Sequence, residues 1–406
     1  MLEGAQARTT TKGEADLPRW FGAVFDTVKR IETGSFSFVL PDGREFRAEG
    51  SRPGPAARVE VRDPEIFARL IRDGELGFAE SYMDAEWDTP DLQAVLDVAL
   101  MNNENMAREF SGAALARVVE RLRHWMNRNT KKGARRNIAA HYDLGNRFYS
   151  CWLDETMTYS SALFRGTQEN LETGQRNKYA AICDAIAAPE GGRVLEIGCG
   201  WGGFAEYAAK ERGLRVTALT ISEAQAEYAR RRIFEAGLAE RAEVVIRDYR
   251  DERGRYDGVA SIEMFEAVGQ AYWPVYFGAL RERLEDEARA CLQIITVADR
   301  LFDGYRKGVD FIQKYIFPGG MLPSPSALQA ATARAGLAEV GSIEFGQSYS
   351  ETLRRWRGRF EGAWDEIAPM GFDDRFRRMW NFYLASCAAC FLARTTDVTQ
   401  VTLRRA

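Results

Sequence analysis

Hydrophobic and polar residues alternate in the first part of the chain in a pattern that predicts a small α+β domain. Strand-like runs occur at FSFVL (Phe36 to Leu40), EFRA and RVEVR, and the turn sequence PDGR separates the first two. Beyond Pro64, apolar residues recur at helical spacing through FARLI and again through LQAVLDVAL. The pattern places this domain at residues 19–120, after a polar, flexible tail at 1–18.

A different pattern begins near Gly191, where apolar strand-like runs alternate with stretches long enough for crossover helices. The runs are RVLEIG, RVTALT, AEVVIRD, YDGVASIE and ACLQIITV. Such alternation predicts an α/β domain with a doubly wound, Rossmann-like parallel sheet. VTQVTL near the C-terminus predicts one further, late strand, for which an antiparallel direction is an option.

Composition narrows the class of protein. The chain has 406 residues, of which 46% are hydrophobic and 28% charged, and its formal net charge is −4. The small net charge gives no reason to expect a nucleic-acid partner. No apolar run approaches the ~20 residues that cross a bilayer, and the N-terminus lacks the apolar core of a secretory signal. We therefore expect a cytoplasmic protein.

Cysteine and histidine usage gives no metal or redox site. The six cysteines lack the spacing of a disulfide framework, which is typical of reduced thiols. Cys387 and Cys390 form a CxxC within the helix-like sequence NFYLASCAACFLA, and the two histidines, His124 and His141, suggest no partnership with them. Helix packing is the favoured interpretation of this pair, and no metal is expected.

Two basic segments invite a membrane interpretation. Residues 121–136, RLRHWMNRNTKKGARR, form either a solvated linker between domains or a surface for anionic lipid headgroups, and the two roles are compatible. The segment LRRWRGRF (Leu353 to Phe360) could also touch headgroups, although an ordinary amphipathic helix is the favoured interpretation of it.

The sequence VLEIGCGWGG, Val194 to Gly203, predicts a cofactor site. A strand, then Gly198-Cys199-Gly200, then a helix opening near Phe204 forms a turn whose backbone passes close to a ligand. A dinucleotide-binding GxGxxG receives a pyrophosphate. Here Glu196 precedes the glycines, and ExGxGxG suits a ligand that carries an ammonium and no phosphate, namely S-adenosylmethionine.

The next two strand ends supply further candidates for that cofactor. The second strand ends in ALTIS, where Thr220, Ser222 and Gln225 can donate or accept ribose hydrogen bonds in place of an acidic residue. The third strand ends in RDYRD, which places Asp248 and Tyr249 beside the adenine.

Eight motifs in the same order resemble the cyclopropane fatty acid synthase family. They are HYDLGN (141–146), LDETMTYSSALF (153–164), VLEIGCGWGG, LTISEAQ, RDYRD, SIEMFEAVG (261–269), KYIFPGGMLPS (314–324) and the closing NFYLASC. The similarity runs from about Asn137 to the end and extends more loosely into the first domain. The resemblance implies a class I methyltransferase domain at 137–406.

The resemblance also implies an activity and its site. Family members transfer a methyl group from S-adenosylmethionine to the cis double bond of a phospholipid acyl chain, often as homodimers at the membrane surface. Tyr159 and Ser160 would join the glycine turn in holding the cofactor, and Glu266 and Tyr383 match residues that surround a bound bicarbonate, the base. Aromatic residues suit a pocket in which a carbocation forms. The pocket candidates are the aromatic residues Phe265, Tyr315, Phe317 and Trp380, together with Ser161.

Three departures from the family pattern put the usual base in doubt. Ser161 stands where the family has cysteine, Ala267 where it has histidine after the glutamate, and Ile295 where it has a second histidine. One hypothesis is that Glu266, with its pKa raised by an apolar setting, removes the proton directly. A second is that the product becomes a methylene- or methyl-branched chain in place of a ring, in which case a separate reductase would have to complete a methyl branch.

Three alternative functions are compatible with the same sequence. A catalytically inactive lipid-binding relative would keep the fold without methyl transfer, and a small-molecule methyltransferase would not need the basic segment. An ordinary cyclopropane synthase with a modified base site is the third alternative.

Overall fold

The structure is a computed structural model that describes residues 8–9, 16–102 and 144–406. The basic segment 121–136 and both histidines lie outside the described residues. The described chain divides into two compact units. The first contains the residues up to Asn102 together with Gly308–Ile316 and Ala368–Ala393, and the second contains the remainder. Two segments of the region expected at 137–406 therefore fold with the N-terminal region.

The sheet of the first unit confirms the three strands expected from the sequence. Its order is β1-β3-β2-β4-β5, in which β2 and β4 are parallel and the other pairs antiparallel. The strands are β1 (Arg8–Thr9), β2 (Thr33–Val39), β3 (Glu45–Glu49), β4 (Arg52–Val61) and β5 (Trp87–Asp88). Strand β1 lies in the stretch expected to be a flexible tail, where its backbone pairs with β3.

Helices of the first unit pack on this sheet and on one another. They are α1 (Phe21–Val28), α2 (Glu65–Met83), α3 (Leu92–Met101) and, numbered along the described chain, α13 (Asp374–Leu392). Helix α2 is interrupted at Gly74, whose φ of 60° and ψ of −135° are not helical. Arg378 of α13 donates to the carbonyl oxygens of Tyr82 and Trp87, which explains why this late helix belongs to the first unit.

The second unit is built on the α/β sheet that the sequence predicts. Its order is β11-β12-β10-β9-β6-β7-β8, with β6 to β10 parallel and β12 antiparallel to both neighbours, which confirms the late strand. The strands are β6 (Arg193–Ile197), β7 (Arg215–Thr220), β8 (Ala242–Ile246), β9 (Tyr256–Ile262), β10 (Leu284–Val297), β11 (Leu337–Glu344) and β12 (Thr396–Arg405).

Helices cover both faces of this sheet. The helices are α4 (Asn146–Ser150), α5 (Leu171–Ile186), α6 (Gly203–Glu211), α7 (Glu223–Glu235), α8 (Trp273–Arg283), α9 (Asp299–Tyr305), α10 (Pro325–Arg334), α11 (Gly346–Gly362) and α12 (Trp364–Ile367). One hydrophobic cluster packs α5, α6 and α7 on one face, and a second packs α8 and α10 on the other.

The strand order fixes where a ligand site belongs. From β6 the chain runs outward through β7 and β8, then returns to β9 on the other side of β6. In open α/β sheets, ligands bind outside the carboxyl ends of the strands at such a reversal. We therefore expect a ligand site among the residues that follow β6 and β9.

Two expected absences can be compared with the described residues. No helix among residues 16–102 and 144–406 combines the length and apolar character of a membrane span. Within the same ranges, no group of histidine, cysteine and acidic side chains is arranged to hold a metal ion. Cys387 and Cys390 lie on α13, as the helical interpretation of their sequence requires.

Candidate cofactor and catalytic site

The glycine turn after β6 has the geometry of a ligand cradle. Gly198 and Cys199 donate their N–H groups to the carbonyl oxygen of Leu219, at 3.0 and 2.8 Å, which fixes the turn against β7. Gly198 has a φ of +85°, and a Cβ placed there would lie 2.6 Å from Cγ of Met264. Gly200 has a φ of +51° and faces open space with respect to the described residues. Helix α6 begins at Gly203, one residue before the expected start.

Glu196 lies in β6 directly before this turn and is almost completely buried, with 2% of its surface exposed. Its Oε2 has no hydrogen-bond partner among the described residues. Burial raises the pKa of Glu196 to about 8, and the positive charges of Lys178 and Arg232 oppose that rise. A buried acidic oxygen without a donor suits a ligand that brings an ammonium group.

Lys178 is a site residue that the motifs did not indicate. It is fully buried, and its Nζ donates to Oγ of Ser160 at 2.6 Å. Burial lowers the pKa of Lys178 to about 7, against the opposing charges of Glu263, Asp154 and Glu196. A sequence signal was present, because Leu171, Gln175, Lys178 and Ile182 form the buried stripe of α5 at helical spacing.

The candidates at the end of β7 hold one another. Thr220 is buried and donates from Oγ1 to Oε1 of Gln225 at 3.0 Å. Ser222 is the N-cap of α7, where its Oγ accepts from the backbone N–H of Gln225 at 3.3 Å. The three side chains thus form one polar cluster beside the glycine turn, although Ser222 has a capping role that the sequence analysis did not assign.

The candidates at the end of β8 have a similar local role. Both carboxylate oxygens of Asp248 accept from the Arg250 guanidinium, at 2.7 and 2.6 Å, and Oδ1 also accepts from the Arg250 backbone N–H. Tyr249 is half-buried, and its ring meets the edge of Tyr276 with 5.3 Å between centroids. Both residues lie at the carboxyl edge of the sheet, where a cofactor's adenine is expected.

The Tyr159–Ser161 loop passes beside the sheet. The ring of Tyr159 packs among Tyr149, Trp152 and Trp356 at 5.3 to 5.5 Å between centroids, and Phe317 lies 6.4 Å from it. Ser161 is fully buried, and its Oγ donates to the carbonyl oxygen of Ala162 at 2.8 Å. Ser161 is therefore an anchor of this loop, and its role as a pocket residue stays a prediction.

Glu266 lies in a short 3-10 turn, Phe265–Ala267, that follows β9. Its Oε1 accepts from the backbone N–H of Ile295 at 2.6 Å, while Oε2 is sealed from solvent without a hydrogen-bond partner in the described chain. Burial raises the pKa of Glu266 to about 8, the nearby charge of Glu263 adds to the rise, and the Ile295 N–H opposes it. The residue in place of the family's second histidine thus holds Glu266 through its main chain.

Glu263, three residues earlier, is a second carboxylate that the sequence analysis missed. Its Oε1 accepts from the Ser161 N–H at 2.8 Å and from Nε2 of Gln293 at 2.7 Å, and its Oε2 accepts from the hydroxyl of Tyr349 at 2.6 Å. Burial raises the pKa of Glu263, although these donors and Lys178 oppose the rise. It belongs to the SIEMFEAVG motif, so position alone could have indicated it.

The aromatic pocket candidates separate into two groups. Phe265 is 1% exposed and packs against Trp273, Tyr276 and Phe277 in the core, and its role in a pocket stays a prediction. Phe317 belongs to the second unit, beside Tyr159. The other candidates, Tyr315, Trp380 and Tyr383, belong to the first unit.

Within the first unit these three residues occupy two places. The hydroxyl of Tyr315 donates to Oε1 of Glu80 at 2.7 Å, and Lys314 donates to the same oxygen at 2.8 Å. Trp380 and Tyr383 lie on α13, both buried, with their rings edge to face at 5.3 Å between centroids. Tyr383 and Glu266 therefore come from different units.

Together, the reversed strand order, the glycine turn and the unpaired Glu196 oxygen fit S-adenosylmethionine and define a class I methyltransferase. Solved structures agree. The chain matches the cyclopropane synthase MmaA2 from Mycobacterium tuberculosis with a TM-score of 0.63 and 27% identity, over 66% of this chain and 97% of that one. It matches the mycolic acid cyclopropane synthase CmaA1, complexed with SAH and CTAB, with a TM-score of 0.63 and 25% identity, over 67% and 98%.

Sequence comparison identifies the family. Residues 129–401 match the model of the family described as mycolic acid cyclopropane synthetase. The tuberculostearic acid methyltransferase UfaA1 of Mycobacterium tuberculosis is 39% identical, over 90% of this chain and 87% of its own length. The cyclopropane-fatty-acyl-phospholipid synthase of Escherichia coli K12 is 35% identical, over 88% and 89%. The chain belongs to this family and is an S-adenosylmethionine-dependent methyltransferase.

Proposed function

We propose that this enzyme methylates the cis double bond of an unsaturated acyl chain in a membrane phospholipid and leaves a methylene branch. Relatives named for a cyclopropane-fatty-acyl-phospholipid and for tuberculostearic acid support an acyl-chain substrate. The observation that carries the proposal is Glu266, a carboxylate with one oxygen held by Ile295 and the other buried and unpaired within the described residues.

The residues at the carboxyl edge of the sheet have separate proposed roles in binding the cofactor and in holding the alkene. Bound S-adenosylmethionine supplies an electrophilic methyl group on a positively charged sulfur. We assign its binding to the glycine turn, Glu196, the Thr220 cluster, Asp248 and Tyr249, and the Tyr159–Ser161 loop. An alkene is a weak nucleophile, so it has to be held in line and away from water. The aromatic wall of Tyr159, Trp356 and Phe317 provides such a surface.

Proton removal decides the product. The alkene carbon forms a bond to the methyl group, the sulfur keeps the electron pair of the broken bond, and the neighbouring chain carbon becomes a cation. Loss of a methyl proton at this stage closes a ring. If a hydride first shifts from the methylated carbon, loss of a methyl proton gives an exocyclic methylene. A base that acts late therefore favours the branch.

We assign the role of this base to Glu266. With a pKa raised to about 8, it is a stronger proton acceptor when ionised than an ordinary carboxylate, but at neutral pH most of it carries a proton in the cofactor-free protein. A bound cation favours the ionised form. Ile295 offers no side-chain ligand, and its N–H is occupied by Glu266, so we propose that bicarbonate takes no part.

Product analysis tests the proposed function. We expect purified enzyme, S-adenosylmethionine and unsaturated phospholipid vesicles to yield acyl chains that are 14 mass units heavier, since one CH₂ is added, with vinylic methylene protons in the NMR spectrum. A ring has the same mass but gives upfield ring protons, and that spectrum would refute the branch while leaving acyl methylation intact. Unmodified chains would refute the phospholipid substrate. A methyl branch would need a separate reductase and added reductant.

We further propose that the enzyme acts as a homodimer at the inner face of the membrane and is recruited by residues 121–136. The other basic segment, 353–360, does not share this role. Leu353, Trp356 and Phe360 are buried, and Arg359 donates to the carbonyl oxygens of Trp152 and Leu153. The segment lies in the amphipathic helix α11, in agreement with the favoured interpretation of its sequence.

Vesicle binding tests the recruitment. Replacing Lys131 and Lys132 by glutamine should weaken co-sedimentation with anionic vesicles about thirtyfold at low salt, because each of the two charges near such a surface contributes about 1 kcal/mol. The matched control replaces the exposed Lys210 and Arg215, which changes the net charge equally and should leave binding unchanged. Equal losses in both variants, or binding that added salt does not weaken, would contradict the proposal. Light scattering measures the oligomeric state.

A further inference from the structure

Glu263 occupies a position that ordinary packing does not explain. It follows β9 directly with a φ of +49°, in the left-handed region that side chains other than glycine rarely adopt. Such a backbone is strained and persists where surrounding contacts enforce it. Here the backbone N–H of Glu263 donates to the carbonyl oxygen of Gln293 at 2.8 Å, which holds the residue against the end of β10.

The Glu263 carboxylate joins three separate elements. It accepts from Ser161 in the cofactor loop, from Gln293 in β10 and from Tyr349 in α11. Tyr349 also contacts Trp356 at 6.2 Å between centroids, and Trp356 packs against Tyr159 at 5.3 Å. The Glu263 carboxylate therefore connects the end of the sheet to the loop that carries Tyr159 and to Tyr349, which contacts Trp356.

A buried amide chain supports this carboxylate from behind. Gln293 and Gln400 are buried, and Nε2 of Gln400 donates to Oε1 of Gln293 at 3.1 Å, which leaves Nε2 of Gln293 directed at Glu263. Gln400 also donates to the carbonyl oxygen of Lys178 at 3.4 Å, and Lys178 itself donates to Ser160. Ser160 and Ser161 are thus held from two directions by one network.

We propose that Glu263 is a positioning residue of the methyl transfer: its length fixes the Tyr159–Ser161 loop, and its negative charge acts on Glu266. The two carboxylates follow β9 three residues apart, and Gln293 and Ile295, two residues apart in β10, donate to them. The inference rests on the proposed roles of that loop and of Glu266. Length and charge are separable properties of a carboxylate. Two conservative variants can therefore test the two halves independently.

Other charged and titratable residues face this pair, and none of them is replaced in the test. Tyr276 of α8 faces Glu266, and Tyr349 of α11 faces Glu263. Lys178 of α5 faces Glu263, and it in turn faces Glu196 of β6 and Asp154 in the loop after α4. Loss of the Glu263 charge should lower the pKa of Lys178 as well as that of Glu266.

The Glu263→Gln variant keeps the length and the acceptor for Ser161 but removes the charge. A like charge nearby raises a carboxyl pKa, so its removal should lower the pKa of Glu266. Since the base acts when ionised, activity rises with pH through that pKa. The acid limb of the kcat profile should therefore move about one pH unit lower in Glu263→Gln, as expected for loss of one neighbouring charge.

The Glu263→Asp variant keeps the charge but is one methylene shorter, so it cannot reach Ser161 and Tyr349 together. Its acid limb should stay in place, and its affinity for S-adenosylhomocysteine, measured by calorimetry, should fall about tenfold. In Glu263→Gln that affinity should change less than about threefold. A tenfold loss of affinity corresponds to the loss of about one hydrogen bond to a charged group, and a change below about threefold corresponds to its retention.

Each variant alone can overturn the proposal. An unmoved acid limb in Glu263→Gln removes the charge role, and wild-type affinity and rate in Glu263→Asp remove the positioning role. Should Glu263→Gln fail to fold, Glu263→Asp still decides the second half. Product analysis of the wild-type enzyme tests the proposed function separately, because it involves no change at Glu263.

Discussion

Replacing Glu266 by glutamine should lower turnover about a thousandfold, the size typical of a lost general base. Glutamine keeps the shape of the side chain and can still accept from the Ile295 N–H, but it cannot take a proton. The measurement is single-turnover methyl transfer to vesicle phospholipid. Binding of S-adenosylhomocysteine should remain within about twofold of wild type, because Glu266 is not assigned to the cofactor.

A matched control and an independent rescue test sharpen this prediction. Glu235→Gln, at the exposed C-terminal end of α7, removes the same charge and should leave the rate unchanged. Bicarbonate should not restore activity to Glu266→Gln, nor should carbon-dioxide-free buffer slow the wild type. Wild-type turnover in Glu266→Gln, or a wild-type rate that depends on bicarbonate, would show that another group is the base.

The raised pKa of Glu266 also has a consequence for stability. In the unfolded chain its carboxyl ionises near its ordinary value of 4.5, whereas in the fold it holds its proton up to about pH 8. Between these values the folded state binds more protons, so stability falls as pH rises through that window. Glu266→Gln removes this penalty, and its melting temperature should gain on that of wild type from pH 5 to pH 8.

The fold was predictable where pattern and periodicity reported burial. The alternation of apolar runs with helical stretches predicted the parallel sheet, and VTQVTL predicted the last strand. The unit boundaries were not predictable in the same way. NFYLASC indicates a buried helix, but nothing in its pattern says that α13 packs with α3, where Gln93 donates to the Ala385 carbonyl oxygen at 3.1 Å.

The site was predictable where residue type and position coincide, as at Glu196, Gly198 and Glu266. A site residue was not predicted where its role depends on hydrogen-bond donors that lie far away in the sequence. Glu263 is significant because Ser161 and Tyr349 reach it from positions 102 and 86 residues away, and that spacing leaves no local signal. The packing of Phe265 was not predictable either, since an aromatic residue after a strand can face either a pocket or the core, and here it joins the core cluster.

The glycine turn allows a prediction of comparable size to the one for Glu266. Gly198→Ala should weaken binding of S-adenosylmethionine about a hundredfold and lower the melting temperature. The left-handed φ of +85° costs alanine about 1–2 kcal/mol. In addition, the new Cβ would lie 2.6 Å from Cγ and 3.0 Å from Cβ of Met264, so either Met264 or the glycine turn has to shift. Either shift disturbs the contact between the cofactor cradle and the turn that carries Glu263 and Glu266.

Gly237→Ala separates strain from function. Gly237 has a φ of +70°, close to that of Gly198, but an added Cβ would meet no atom within 4 Å among the described residues. Its backbone penalty should be similar, about 1–2 kcal/mol, while calorimetry should show cofactor affinity unchanged. If both variants lose stability equally and both keep the cofactor, the close approach of Gly198 to Met264 has no role in binding. If Gly198→Ala alone loses the cofactor, the space beside Met264 belongs to the site, because strain by itself is matched in the control.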